Sequence, residues 1–150
     1  MRETITAALK HATKSQDKRR MSTLRLVSAA IKDRDIAART AGKTEATDAE
    51  LLELFAKMIK QREESQKIYA DAGRAELAKR EGEEIEIIRE FLPKKLSDKE
   101  MEKAVAAAIA DSGAASVKDM GKVMAALKAR YAGQMDFAKA SATVKAKLSS

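Results

Sequence analysis

Residues 84–105 read EIEIIREFLPKKLSDKEMEKAV and hold the only proline in a chain of 150 residues. Ile85, Ile88 and Leu92 recur at the spacing of one helical face. That helix must stop near Phe91, because Pro93 has no backbone N–H and drives its predecessor out of the α region. A new helix opens almost at once. Ser97 is followed three residues later by Glu100, a capping box in which each side chain satisfies the other residue's orphan backbone N–H. The stretch reads as a hinge between two helical lobes, residues 1–93 and 94–150.

Upstream of the hinge the pattern predicts four helices. Ile5, Ala8, Leu9 and Ala12 mark the first, over about residues 2–15, with His11, the only histidine, at the edge of the stripe. Asp17 caps a second helix, whose inner face is Met21, Leu24, Val27 and Ile31, extended by Ile36 and ended by Gly42. Thr47 and Glu50 form another capping box, opening a third helix with Leu51, Leu54, Phe55, Met58, Arg62, Ser65 and Tyr69 on one side. Arg62 falls where the period expects an apolar residue, so its guanidinium needs a partner near the interior. After the break at Ala72 and Gly73, a fourth helix carries Leu77, Glu81, Glu84, Ile85 and Ile88. An antiparallel hairpin of helices three and four brings Arg62 to Glu81 or Glu84 as a charge-assisted pair. We read that pair as a structural device that fixes register, in preference to a catalytic carboxylate dyad, because nothing else catalytic accompanies it.

Downstream, three shorter helices follow. Met101, Ala104, Val105, Ala108 and Ile109 line a small-residue helix that ends at Asp111, Ser112 and Gly113. Ser116 and Asp119 start a sixth, with an inner stripe of Val117, Met120, Val123, Met124, Leu127 and Tyr131 and a stop at Gly133. Asp136 caps the last, in which Phe137, Ala140, Ser141, Val144 and Leu148 repeat the spacing. The expected architecture is all-α, an N-terminal four-helix bundle-like lobe followed by a smaller three-helix C-terminal lobe, with the hinge at Pro93.

Composition narrows the function classes. Hydrophobic residues make up 45% of the chain and charged residues 35%, with six glycines and one proline, which favours a packed helical protein over disorder. A chain of this length buries roughly 70% of its unfolded surface, enough for a real core. Cysteine is absent, which removes disulfides, thiol nucleophiles and thiolate metal sites and fits a cytoplasmic location. The longest purely apolar run, Ala104 to Ala110, is far below the ~18 residues of a membrane span. The N-terminal MRETITAALKHATK is amphipathic, without the pattern of a signal peptide.

The net charge of +7 is unevenly spread. Residues 1–39 carry net +6, residues 40–93 net −4 and residues 94–150 net +5. Basic blocks flanking an acidic middle fit either a polyanionic partner or pairing between lobes. Lys118, Lys122, Lys128, Arg130, Lys139, Lys145 and Lys147 are the cations of the last two helices. Lys118 and Lys122 share a face at i and i+4, and the N-terminus of helix six adds a field favourable to phosphate. With two tyrosines and three phenylalanines in all, base stacking on single strands is not expected as the main contact, and RNA would be read through backbone and shape.

Catalytic motifs are missing. Gly121-Lys122 is not a nucleotide loop, since the preceding glycine is Gly113, Val123 stands where Ser or Thr is required, and no strand leads in. Gly121 within a helix costs up to ~1 kcal/mol relative to alanine. Close packing against a neighbouring helix is the simpler account of it, and close approach of a ligand backbone the other. No HExxH or Glu-x-x-His pattern exists, His11 has no nucleophile beside it, and Glu81, Glu83, Glu84 and Glu86 point to both sides of a helix. No metal, cofactor or small-molecule substrate is expected.

Lys60-Gln61-Arg62, Ser65, Tyr69, Ala72-Gly73-Arg74, Leu77, Glu81, Glu84, Leu92-Pro93 and Gly121-Lys122-Val123-Met124 occur in an order that resembles the YqeY-like proteins along essentially the whole chain. Those proteins are similar to the C-terminal tail of the B subunit of tRNA-dependent amidotransferases, carbon-nitrogen ligases that take glutamine as amido donor. The resemblance implies an all-helical fold whose C-terminal lobe is related to a tRNA-contacting tail. Its implied partner is tRNA or a tRNA-handling protein complex. The glutaminase nucleophile and ATP-dependent activating site that amidation needs are not visible, so the implied role is a non-catalytic adaptor, with Lys118, Gly121, Lys122, Lys128, Arg130, Lys139 and Lys145 as its RNA-facing residues. The alternative is a protein–protein interaction module without RNA contact. One departure concerns Gln134-Met135-Asp136-Phe137-Ala138, where the family pattern has a second glycine soon after the aspartate.

Overall fold

The computed structural model describes residues 1–149. It is built from helices, with no strand among the described residues: α1 (Arg2–Lys14), α2 (Lys18–Thr40), α3 (Asp48–Asp71), α4 (Ala75–Arg89), α5 (Asp98–Ser112), α6 (Met120–Tyr131) and α7 (Phe137–Leu148). The chain divides into two compact units, Met1–Leu92 and a second that begins at Pro93.

In the first unit α3 and α4 make the most extensive pair, and α2 packs on α1, α4 and α3. The helix starts follow the capping chemistry. Asp17 accepts from the Arg20 N–H, and Thr47 and Glu50 cap each other reciprocally. Ile5, Val27, Ile31, Leu51, Phe55, Ile85 and Ile88 form the centre of the core, each worth about 1.5–3 kcal/mol of burial. Thr23, the only fully buried hydroxyl among the described residues, is satisfied by donating to the Arg19 carbonyl at 2.8 Å. Ile36 does not extend the buried face of α2 and is 58% exposed. It lies five residues past Ile31, about 140° further round the helix, whereas Ala38 at i+7 returns to the stripe and is buried.

Polar contacts tie the ends of this unit together. Arg2 Nη2 donates to Asp35 Oδ1 at 2.6 Å and to the Ala46 carbonyl at 2.8 Å, and Asp35 Oδ1 also accepts from the Ala46 N–H at 2.9 Å. The start of α1, the middle of α2 and the loop into α3 thus share one carboxylate. Along the hairpin, Arg62 Nε donates to Glu84 Oε2 at 3.0 Å and Arg62 Nη1 to the Met58 carbonyl at 3.2 Å. Glu84 takes the ion pair that the spacing offered to either glutamate. Glu81, half-buried one turn earlier, makes no ion pair among the described residues.

In the second unit α5, α6 and α7 each pack on the other two. Met101, Val105, Val123, Leu127, Ala140 and Val144 are its core, with Leu96 and Met124 against it. The Ser97–Glu100 capping box starts α5, and Gly113 ends it in the left-handed region at φ 68°, which glycine enters without a Cβ clash. The Leu96 N–H donates to the Gln134 carbonyl at 2.8 Å, pinning the lead-in to α5 against the loop between α6 and α7. Asp136 caps α7 by accepting from the Ala138 and Lys139 N–H groups, without help from the glycine expected after it.

The sixth helix departs from expectation at its start. Val117–Asp119 is a single 3₁₀ turn, α6 begins only at Met120, and Val117 is 41% exposed where a core position was expected. Asp119 explains the change. Its Oδ2 turns back to accept from the Ala115 and Ser116 N–H groups while its own N–H donates to the Ser116 carbonyl, closing a tight i to i+3 turn.

Candidate nucleic-acid interface

That turn decides where the first lysines sit. Lys118 lies in the 3₁₀ segment and Lys122 in the first turn of α6, so the two do not share the α-helical i, i+4 register expected of them. The field at the start of the helix is also altered. The Asp119 carboxylate occupies the Ala115 and Ser116 N–H groups and holds its own pKa below the usual carboxylate range, first through those two bonds and then through the charge of Lys122. An anion already sits where a phosphate was expected to meet free N–H groups.

The side chains themselves remain available. Lys118, Lys122, Lys128, Arg130, Lys139 and Lys145 are all exposed, and none makes an ion pair among the described residues. Arg130 lies over the Tyr131 ring, 5.6 Å from its centroid, which steadies the guanidinium without neutralising it. Lys122 and Arg130 border one groove of about 270 Å³ between α5 and α6, floored by Ala104, Ala108 and Leu127 and flanked by Asp111. This concave surface sets two cations and one acid around an apolar floor.

Gly121 stands beside Lys122 and is exposed. Its expected use in close helix packing fails, because a Cβ added there would meet nothing within 4 Å. The glycine leaves bare backbone facing solvent next to a lysine.

A further basic surface lies on α5 and was not singled out from the sequence. Lys99, Lys103 and Lys147 surround an open depression of about 420 Å³, together with Glu102 and Ala106. Lys99 and Lys103 stand at i and i+4 off the apolar stripe, a spacing that the sequence itself carries.

In the first unit Arg62 pairs with Glu84, while Glu81 makes no ion pair among the described residues. Glu84 is only 6% exposed and held by Arg62 at 3.0 Å and by Arg80 Nε at 3.6 Å, so its oxygens are committed to guanidinium groups. No cluster of His, Asp or Glu among the described residues could hold a metal ion, and no helix is long and apolar enough to cross a membrane.

Fold and surface together define an all-helical protein whose second unit carries several exposed cations. The chain belongs to the YqeY-like family, which it matches over residues 2–148. No curated protein sequence matches it.

Proposed function

We propose that the protein is a cytoplasmic, non-catalytic RNA-binding adaptor that holds tRNA, alone or within a tRNA-handling complex, by its phosphate backbone through the second unit, in support of tRNA-dependent amidation. The observation that carries this reading is the set of exposed, unpaired cations Lys118, Lys122, Lys128, Arg130, Lys139 and Lys145. Protein surfaces ordinarily mix both signs. Here three of the six acids of the second unit are held in helix caps: Glu100 on the Ser97 N–H, Asp119 on Ala115 and Ser116, and Asp136 on Ala138 and Lys139. The lysines are left for another anion. The aromatic-poor composition fits backbone and shape recognition in place of base stacking.

The test is tRNA binding by the full chain across a salt series. About four phosphate contacts give a log–log slope near −3.6, a loss of about a hundredfold between 50 and 200 mM salt. Lys118→Glu with Lys122→Glu should weaken binding at least tenfold while leaving the melting temperature in place. A flat salt response, or wild-type affinity in the double variant, overturns the reading.

A further inference from the structure

Helix α2 carries seven cations, and the fold sorts them into two sets. Arg19 pairs with Glu83, Arg20 with Glu90, and Arg34 with Glu50, so three arginines bind the acids of α3 and of the segment that begins with α4. Lys18, Arg25, Lys32 and Arg39 form the other set. Each is exposed and none makes an ion pair among the described residues; Arg39 Nε donates only to the Thr44 carbonyl.

These four stand at intervals of seven residues. A straight α-helix drifts only about 20° per heptad, so the set forms one row along the outer face. The rise of 1.5 Å per residue separates neighbours by about 10.5 Å and the ends by about 31 Å. No acidic residue occupies the row; on one flank Ser22, Ala29 and Ile36 carry no charge, and of the nearby acids Asp33 and Asp35 the second is bound by Arg2 and the Ala46 N–H. A solvated face that served only solubility would interleave both signs, because a single-sign row repels itself. Lys10 and Lys14 are likewise exposed, on α1, which packs against α2.

We infer that this row is a second RNA-docking surface, on the first unit, for the phosphate backbone of a folded RNA duplex. A rigid line of point charges suits recognition of a duplex by its backbone and shape. The protruding apolar residues of α2, Leu26 and Ile36, are ten positions apart with no aromatic between them, which leaves no continuous apolar strip to enter a bilayer. The partner class rests on the RNA reading above, whereas the surface is separate from the one described there.

The experiment compares three full-length proteins for binding to an unmodified tRNA transcript at 50, 100 and 200 mM salt: wild type, Lys18→Gln with Arg25→Gln and Lys32→Gln, and Lys118→Glu with Lys122→Glu. The α2 variant is expected to bind at least tenfold more weakly at 100 mM, with a salt slope shallower by about two to three and an unchanged melting temperature. Should the triple variant fold poorly, Arg25→Gln alone is expected to cost about threefold. Affinity within twofold of wild type in a folded α2 variant overturns this surface alone, whereas the same result in the second-unit variant overturns only the earlier site. A wild-type protein that ignores tRNA removes both. A further arm uses vesicles of phosphatidylcholine with 30% phosphatidylserine, and capture that depends on Arg25 and Lys32 while tRNA binding does not also overturns the inference.

Discussion

Arg62 and Glu84 meet across the α3–α4 hairpin with Nε 3.0 Å from Oε2, the carboxylate being almost fully buried. Removing one partner leaves the other charge uncompensated, so Glu84→Ala should destabilise the protein by about 3 kcal/mol. Replacing both, as Arg62→Met with Glu84→Leu, should recover most of that loss, because an apolar pair needs no mutual neutralisation. Urea titrations of the single and double variants check this. Loss of an activity with unchanged stability in Glu84→Gln would instead restore a chemical role to the carboxylate.

Asp35 makes the first unit sensitive to acid. The hydrogen bond from Arg2, followed by that from the Ala46 N–H, lowers its pKa from the ordinary 3.8. Between the unfolded and folded values the unfolded chain binds the proton and the folded chain does not, so stability falls as pH drops through that interval. The contribution is fully present above about pH 4 and lost below the depressed value. Asp35→Asn should therefore lower the melting temperature at pH 7 and flatten its decline below about pH 4. Glu50, Glu100 and Asp119 are shifted in the same direction, so a residual acid limb remains.

Gly121 separates the needs of the fold from those of a ligand. The site is open and φ is not positive there, so Gly121→Ala should stabilise the protein by up to about 1 kcal/mol through helix propensity. If RNA approaches the bare backbone beside Lys122, the same substitution weakens tRNA binding. A more stable variant with unchanged affinity would take the glycine out of the interface.

The fold was legible because its signals are local. The capping residues Asp17, Thr47, Ser97 and Asp136 and the apolar stripes of α1, α3, α4 and α7 act within one or two turns, and each sits where the sequence put it. The turn between α1 and α2 was less readable, because Gln16 adopts φ 58° without being glycine. The site was less legible still. Asp119 looked like an ordinary cap, and only its return to Ala115 and Ser116 showed that α6 starts late and that Lys118 leaves the register of Lys122. The α2 row escaped notice because it lies opposite the stripe that marks the core, and its meaning depends on which neighbouring arginines find acids across the bundle.

Asp119 supplies the last prediction, since its charge stands close to the phosphate path proposed for Lys118 and Lys122. Hydrogen bonds from two backbone N–H groups keep the carboxylate ionised throughout the neutral range. In water it repels a nearby phosphate weakly. Asp119→Asn keeps an oxygen able to accept from Ala115 and Ser116 while removing the charge, so tRNA affinity at pH 7 should rise about twofold at 50 mM salt. The gain should fade at 200 mM as screening shortens the reach of the charge. Equal affinity of the two proteins at low salt would place the bound RNA away from the start of α6, and the lysines of that turn would lose their assigned contact.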